Sequence, residues 1–354
     1  MVSFGKRKLG DNYPCFITFE AGATHNGVES AKTLIDFAAK AGADAVKFQI
    51  FDPDKLMADK KMLLTYDILA DSATGETRAI TEPLYDILCR RYLKPEQWRQ
   101  VKKYSDSLGL AFFATVGFEE DIELLTSLNC DSIKIASVDI NHWPLIRMAA
   151  RTGMCVQLDT GNATLGEIEQ AVEICNIEGN DDIIIHNCPS GYPARLESIN
   201  LRLITTLKQM FPQYPIAYSD HTPGWEMDIA AVALGANLVE KTITTDRGIR
   251  STEHVFSLEP DEMQTFVKTI RDIEMAMGNP RRIQHPEEKL TRKNARRSTF
   301  LKQDMQKGDI VNLEHVEFRR PGFGISPKQF ESFIGMQILH DLPLGHLLAL
   351  KDLG

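Results

Sequence analysis

Along most of the chain, short apolar runs alternate with segments whose apolar positions recur at helical spacing. The runs are "CFITFE", "AVKFQIF", "AFFATV", "SIKIAS", "CVQLDT", "DIIIHN", "PIAYSD" and "NLVEKTIT". Between them lie amphipathic stretches such as "PEQWRQVKKYSDSLG", "LGEIEQAVEICNIEG" and "PDEMQTFVKTIRDIEMAMG". Eight strand-then-helix units over roughly 250 residues predict an α/β fold, a (β/α)8 barrel. The near-continuous apolar strands fit a parallel sheet covered by helices. A doubly wound open sheet is disfavoured, because no GxGxxG turn follows the first strand.

The texture changes after Gly278. "NPRRIQHPEEKLTRKNARR" is polar and basic with no periodic apolar face, and it reads as a solvated linker over 279–297. From Ser298 a small β-rich unit follows, with two similar turns, "MQKGDIV" and "LPLGHLL", around a loop "RRPGFGISP". The predicted organisation is therefore a barrel over 1–278, a linker, and a small domain over 298–354 with too little core to stand without a larger support.

Composition narrows the function classes. The 354 residues are 43% hydrophobic and 25% charged, as in an ordinary globular protein. A net charge of -9 argues against non-specific binding to nucleic acid or an anionic membrane, while leaving room for a local cationic pocket. The six cysteines form no CxxC pair and no charged-then-apolar leader opens the chain, so a reducing cytoplasm is expected. Cys188 near His186 reads as a small buried hydrophobe rather than a metal pair.

Polar residues close each predicted strand: Glu20; Lys47 and Gln49; Thr115; Lys134 and Ser137; Asp159 and Thr160; His186; Ser219 and His221; Glu240 and Thr242. In a barrel these ends converge on the face where active sites form. Pairs spaced by two project to one side of a strand. Lys47 and Lys134 sit inside apolar runs, where a lysine is costly to bury unless an anion meets it. They suggest a bound anion or a Schiff base.

With "EAGATHNG", "AGADAVKFQ", "KIASVD", "SDHTPG", "AAVALGA", "FSLEPDE" and "RRPGFGISP" in this order, the chain resembles the sialic acid synthases over nearly its whole length. Those enzymes join phosphoenolpyruvate to an N-acylated hexosamine such as N-acetylmannosamine. The resemblance implies a barrel followed by an antifreeze-like (SAF) domain in a domain-swapped homodimer. It implies phosphoenolpyruvate contacts at Lys47, Thr115, Lys134, Ser137 and Ser219, five of seven usual positions. Gln49, Tyr192 and Glu253 fall around the sugar, and Arg320 would reach its acyl group across the dimer. Glu20, Asp139 and Glu240 would manage protons and water. A divalent cation, Mn2+ or Mg2+, would be held at His221, with His254 or carboxylates in support.

Four positions depart from the family pattern. Asp159 stands where a serine is usual, and a carboxylate beside a phosphate is repulsive unless protonated or turned away. Ser190 replaces an asparagine, Asp139 a glutamate, and Thr242 the second metal histidine. The expected chemistry is attack of C3 of phosphoenolpyruvate on the sugar aldehyde, water addition at C2, and loss of phosphate by C–O cleavage. Its rivals are a Schiff-base aldolase or lyase using Lys47 or Lys134, and a catalytically weakened sugar-binding relative.

Overall fold

Eight parallel strands close into a barrel in the computed structural model, which describes residues 1–5 and 7–354. The strands are β1 (Phe16–Glu20), β2 (Ala45–Gln49), β3 (Ala111–Val116), β4 (Ser132–Ile135), β5 (Cys155–Asp159), β6 (Ile183–Asn187), β7 (Ile216–Asp220) and β8 (Leu238–Thr242). Each lies beside its sequence neighbour, and β8 closes onto β1 with Thr242 opposite Glu20. The eight apolar runs are thus the eight barrel strands.

Outward-facing residues such as Ile17, Phe19, Val46, Phe48 and Phe112 are buried under the helices. α1 (Val28–Ala41) turns Ala31, Leu34, Ile35 and Ala38 onto the sheet, the stripe its spacing predicts. Each large apolar side chain so buried contributes about 1.5–3 kcal/mol. One outward lysine is also paired: Lys241 donates to Asp220 and to the Thr222 carbonyl, with Asp228 nearby.

Inward-facing positions change character along the strands. At the N-terminal ends Phe16, Ala45, Phe113, Cys155, Ile184, Ala217 and Leu238 form an apolar floor. A short hairpin, Val2–Phe4 with Arg7–Leu9, closes it from below by burying Val2, Phe4 and Leu9. Two residues further along, the interior becomes polar with Lys47, Lys134, Gln157, His186, Ser219 and Glu240, all buried. The period-two pleat therefore stacks a polar layer on an apolar one.

An antiparallel hairpin, Leu63–Asp71 with Glu76–Pro83, is inserted after β2 and leads into α2 (Leu84–Arg91). Tyr66, Ile68 and Ile87 form its small core.

The chain divides into Met1–Gly278 and Asn279–Gly354. The stretch read as a bare linker contains a helix, Pro286–Ala295. Proline at its first position, Glu288 accepting from the His285 backbone N–H at 2.9 Å, and basic residues in the last turn stabilise it without an apolar face. The second unit pairs Ser298–Leu301 with Val316–Arg319, and its two similar turns meet where Met305 bridges Leu342. It also has more core than expected: ten apolar residues, among them Leu301, Val311, Phe330 and Leu348, are buried together.

Among the described residues no helix is long and apolar enough to cross a membrane. All six cysteines are unpaired.

Candidate active site

The segment "EAGATHNG" joins β1 to α1 and is tied to both neighbouring strands. Ala21 N–H donates to the Lys47 carbonyl at 2.9 Å, and Thr24 Oγ1 donates to the Ile243 carbonyl at 2.6 Å. Glu20 Oε1 accepts from Ala23 N–H at 3.0 Å. Gly22 passes so close to β2 that a Cβ would lie 2.4 Å from the Gln49 nitrogen, which excludes any other residue there. His25 is buried against Phe48 and Trp98, its ring held neutral chiefly by desolvation. The segment builds the rim of the barrel mouth as well as preceding a helix.

That mouth contains a cavity of about 510 Å³. Glu20, Lys47, Gln49, Thr115, Ser137, Asp159, Tyr192, His221, Glu240 and Glu253 all line it. Its floor is an ion lattice. Lys134 Nζ, fully buried, donates to Glu240 Oε1 and Oε2 at 2.8 and 2.7 Å and to Ser219 Oγ at 3.0 Å. Asp159 Oδ2 is 3.0 Å from the same ammonium. Lys47 pairs with Glu20 and lies 3.5 Å from Glu240 Oε1.

These pairings set the protonation states. Burial alone drives the Glu240 carboxyl up, but Lys134 and Lys47 outweigh it, so Glu240 ends well below the usual carboxylate range and stays ionised. Burial likewise disfavours both ammonium groups. Glu20 and Glu240 reverse this for Lys47, and Asp159 and Glu240 for Lys134, so both lysines are held protonated. Glu20 is raised by desolvation. Glu253, buried near Glu20, is pushed up to about 7 by desolvation and by that second carboxylate. It is the mouth carboxyl poised to exchange a proton near neutral pH.

Beneath the lattice a hydrogen-bonded chain crosses the interior. Burial and Lys134 lower His186 to about 4, so its ring is neutral. The donors can then run one way: Ser219 Oγ to His186 Nδ1 at 2.9 Å, His186 Nε2 to Gln157 Oε1 at 2.8 Å, Gln157 Nε2 to Ser132 Oγ at 2.8 Å, and Ser132 to the Cys155 carbonyl at 2.9 Å. Ser219 Oγ is also 3.1 Å from Asp159 Oδ1, the alternative acceptor of its proton. Such a chain fixes the Ser219 hydroxyl beside Lys134.

Four of the residues expected at the site do not line the cavity. Lys134 and Ser219 lie just under the cavity and support its floor without lining it. Asp139 ends a short 3-10 turn, Ser137–Asp139, half-buried and away from the cavity lining. His254 does not turn into the mouth: its Nδ1 is 2.6 Å from Thr244 Oγ1 in a buried pocket of its own. Of the remaining departures, Ser190 is exposed and donates to the Gly161 carbonyl at 2.8 Å, and Thr242 is buried outside the lining. Arg320 is an exposed residue of the second unit.

The donors for a divalent cation are few. No group of three His, Cys, Asp or Glu side chains suited to a metal occurs among the described residues. His221 Nδ1 lies 3.1 Å from the Pro189 carbonyl, which directs Nε2 toward the cavity, and its ring packs at a tilt against Tyr192, centroids 4.5 Å apart. Desolvation keeps that ring neutral. Glu240 is occupied by two lysines, which leaves His221 Nε2 and the Glu253 carboxyl as the lining imidazole and carboxylic groups without an ion-pair partner among the described residues.

Arg91 is a charged cavity residue that the sequence reading missed, as it missed Thr65, Tyr66 and Thr252. Arg91 lines the mouth from the end of α2. The signal was present: Leu84, Ile87, Leu88 and Arg91 follow the i, i+3, i+4, i+7 spacing of a buried stripe, yet "CRRYL" reads as basic residues ending a helix in solvent.

Comparisons with known proteins agree with this fold. The NeuB family model matches residues 34–282. N,N'-diacetyllegionaminic acid synthase of Legionella pneumophila is 32% identical over 97% of this chain and 96% of its own. The N-acetylneuraminic acid (sialic acid) synthetase of Leptospira borgpetersenii, solved with citrate, superposes with a TM-score of 0.71 at 30% identity over 82% of this chain and 94% of its own. Spore coat polysaccharide biosynthesis protein SpsE of Bacillus subtilis aligns over 99% of this chain and 98% of its own, with a TM-score of 0.66 and 30% identity.

Proposed function

The chain belongs to the NeuB family, and from that premise we propose that its barrel mouth joins phosphoenolpyruvate to the carbonyl carbon of an N-acyl amino sugar, forming a nonulosonic acid and inorganic phosphate. The observation that carries this reading is the arrangement of Lys47, Lys134 and Glu240 under a cavity lined by the Thr115 and Ser137 hydroxyls, with Glu253 titrating near 7 at its side.

In this reading the two ammonium groups and the hydroxyls hold the phosphoenolpyruvate anion. C3 of the enol attacks the sugar carbonyl, whose electron pair passes to oxygen, and the neutral Glu253 carboxyl protonates the developing alkoxide. Water adds at the cationic C2, giving up a proton to Glu20. The C2–O bond then breaks: phosphate departs with the bonding pair and the bridging oxygen and takes up the proton of the C2 hydroxyl, whose oxygen becomes the keto group. Glu240 stays ionised throughout and keeps the lysines in place. A divalent cation would be held by His221 with the Glu253 carboxyl and water, where it would polarise the sugar carbonyl, and no step here is routed through it.

A Schiff base needs a free amine, and carboxylates hold both candidate lysines protonated. The aldolase reading is therefore disfavoured. A merely sugar-binding relative would release no phosphate, and assaying phosphate with each reactant omitted in turn separates the two. The second unit is read as a SAF-type domain that offers Arg320 to a partner copy's mouth in a homodimer. The setting is a cytoplasmic one, with no nucleic acid or membrane involved.

A further inference from the structure

Arg91 stands apart from the other cations of the mouth because most of its hydrogen-bonding capacity is unspent among the described residues. It is 6% exposed, its Nε is closed off without a partner, and its one hydrogen bond is a long one, 3.4 Å from Nη1 to the Ala23 carbonyl. It makes no ion pair among the described residues. The adjacent Arg90 shows the ordinary alternative, a forked pair with Glu82 at 3.1 and 2.7 Å. Lys47 and Lys134 are likewise committed to carboxylates. A buried guanidinium with donors to spare, opening on a cavity, is a binding group awaiting a planar or tetrahedral anion.

We propose that Arg91 selects an acceptor sugar that itself carries an anionic group, a carboxylate or a phosphate, remote from the reacting carbonyl. This rests on the condensation described above. The anion is assigned to the acceptor because of where Arg91 sits. Arg91 lines the cavity from the end of α2 and reaches the Ala23 carbonyl, whereas Lys134 lies under the floor against Glu240, Asp159 and Ser219. The two cations serve different ends of the mouth. Phosphoenolpyruvate over Lys47, Lys134 and the Thr115 and Ser137 hydroxyls leaves Arg91 facing the other reactant. The guanidinium is disfavoured by burial and gives up no ion pair among the described residues by engaging a ligand.

The test compares three acceptors with phosphoenolpyruvate: a neutral 2-acetamido-2-deoxyhexose, its 6-phosphate, and the analogue oxidised to a carboxylate at C6. The full-length protein should prefer one of the anionic acceptors in kcat/KM by on the order of ten- to a hundredfold, the contribution of a charge-assisted bond. Arg91→Met should abolish that preference through the acceptor KM while leaving the phosphoenolpyruvate KM unchanged. Arg91→Lys, which keeps the charge without the fork, should restore part of it. A native enzyme that uses the neutral sugar as well as both anionic ones overturns the proposal, as does an Arg91→Met defect falling on the phosphoenolpyruvate KM. If no acceptor is turned over, the condensation reading fails, and calorimetric binding of the 6-phosphate and the C6 carboxylate decides the proposal by itself. Binding of either by the native protein and by Arg91→Lys, but not by Arg91→Met, supports it; equal binding by all three, or none by the native protein, overturns it.

Discussion

Asp159 Oδ2 stands 3.0 Å from Lys134 Nζ, so the carboxylate that replaces a serine is turned onto the lysine expected to bind substrate. The repulsion anticipated from the sequence is thus balanced in the free protein by an ion pair. An incoming phosphoenolpyruvate anion must compete with that carboxylate.

Replacing Asp159 with Asn removes the competing charge and keeps an oxygen facing Ser219. The phosphoenolpyruvate KM should fall by about tenfold, the effect of deleting one like charge at close range in a partly shielded site. A KM that rises in Asp159→Asn would mean that the carboxylate assists binding.

Lys134 is also structural. Lys134→Met leaves Glu240 and Asp159 buried without their shared ammonium, which should cost about 3–5 kcal/mol of stability. Urea unfolding should show a lowered midpoint, partly recovered by adding Glu240→Gln. An unchanged midpoint in the single variant would show that the lattice does not hold the fold.

Glu253 predicts a pH dependence with a definite sign. Its carboxyl is raised to about 7 in the folded protein from an ordinary 4.5, so folding favours the protonated form. Its contribution is fully present below pH 4.5 and is lost as pH climbs through 7, about 3 kcal/mol in all. Glu253→Gln should therefore gain stability relative to the native chain between pH 5 and pH 8. As the general acid, Glu253 should also give a kcat that falls above pH 7, and the glutamine variant a low, flat profile over this range. Parallel stability curves for the two proteins would contradict the assignment.

The proposed role of Arg320 can be read by complementation. An Arg320→Ala chain mixed with a Glu253→Gln chain should recover part of the native activity, because one mouth of the mixed dimer keeps both residues. No recovery after proven subunit exchange would count against action in trans.

The barrel was legible because its strands are buried on both sides and read as continuous apolar runs. Their polar ends fell at one face, so Glu20, Lys47, Thr115, Glu240 and His221 could be grouped before any contact was known. What the sequence concealed lies where burial is thin or one-sided. The hairpin of Leu63–Asp71 and Glu76–Pro83 packs only Tyr66 and Ile68 deeply, leaving a weak alternation. The helix Pro286–Ala295 has no buried residue, so only its end signals betrayed it. The side that His254 takes was not legible because a loop histidine can face either way, and Thr244, ten positions earlier, holds its ring. Asp159 needed the third dimension: which neighbour it turns to depends on β4 and β5 lying side by side.

Phosphoenolpyruvate labelled with 18O in the bridging position tests the central claim most directly, since attack at C3 and addition of water at C2 require the C2–O bond to break. The account predicts phosphate release only when an acceptor sugar is present, with the label in the phosphate. Unlabelled phosphate, or release that needs no acceptor, would contradict it.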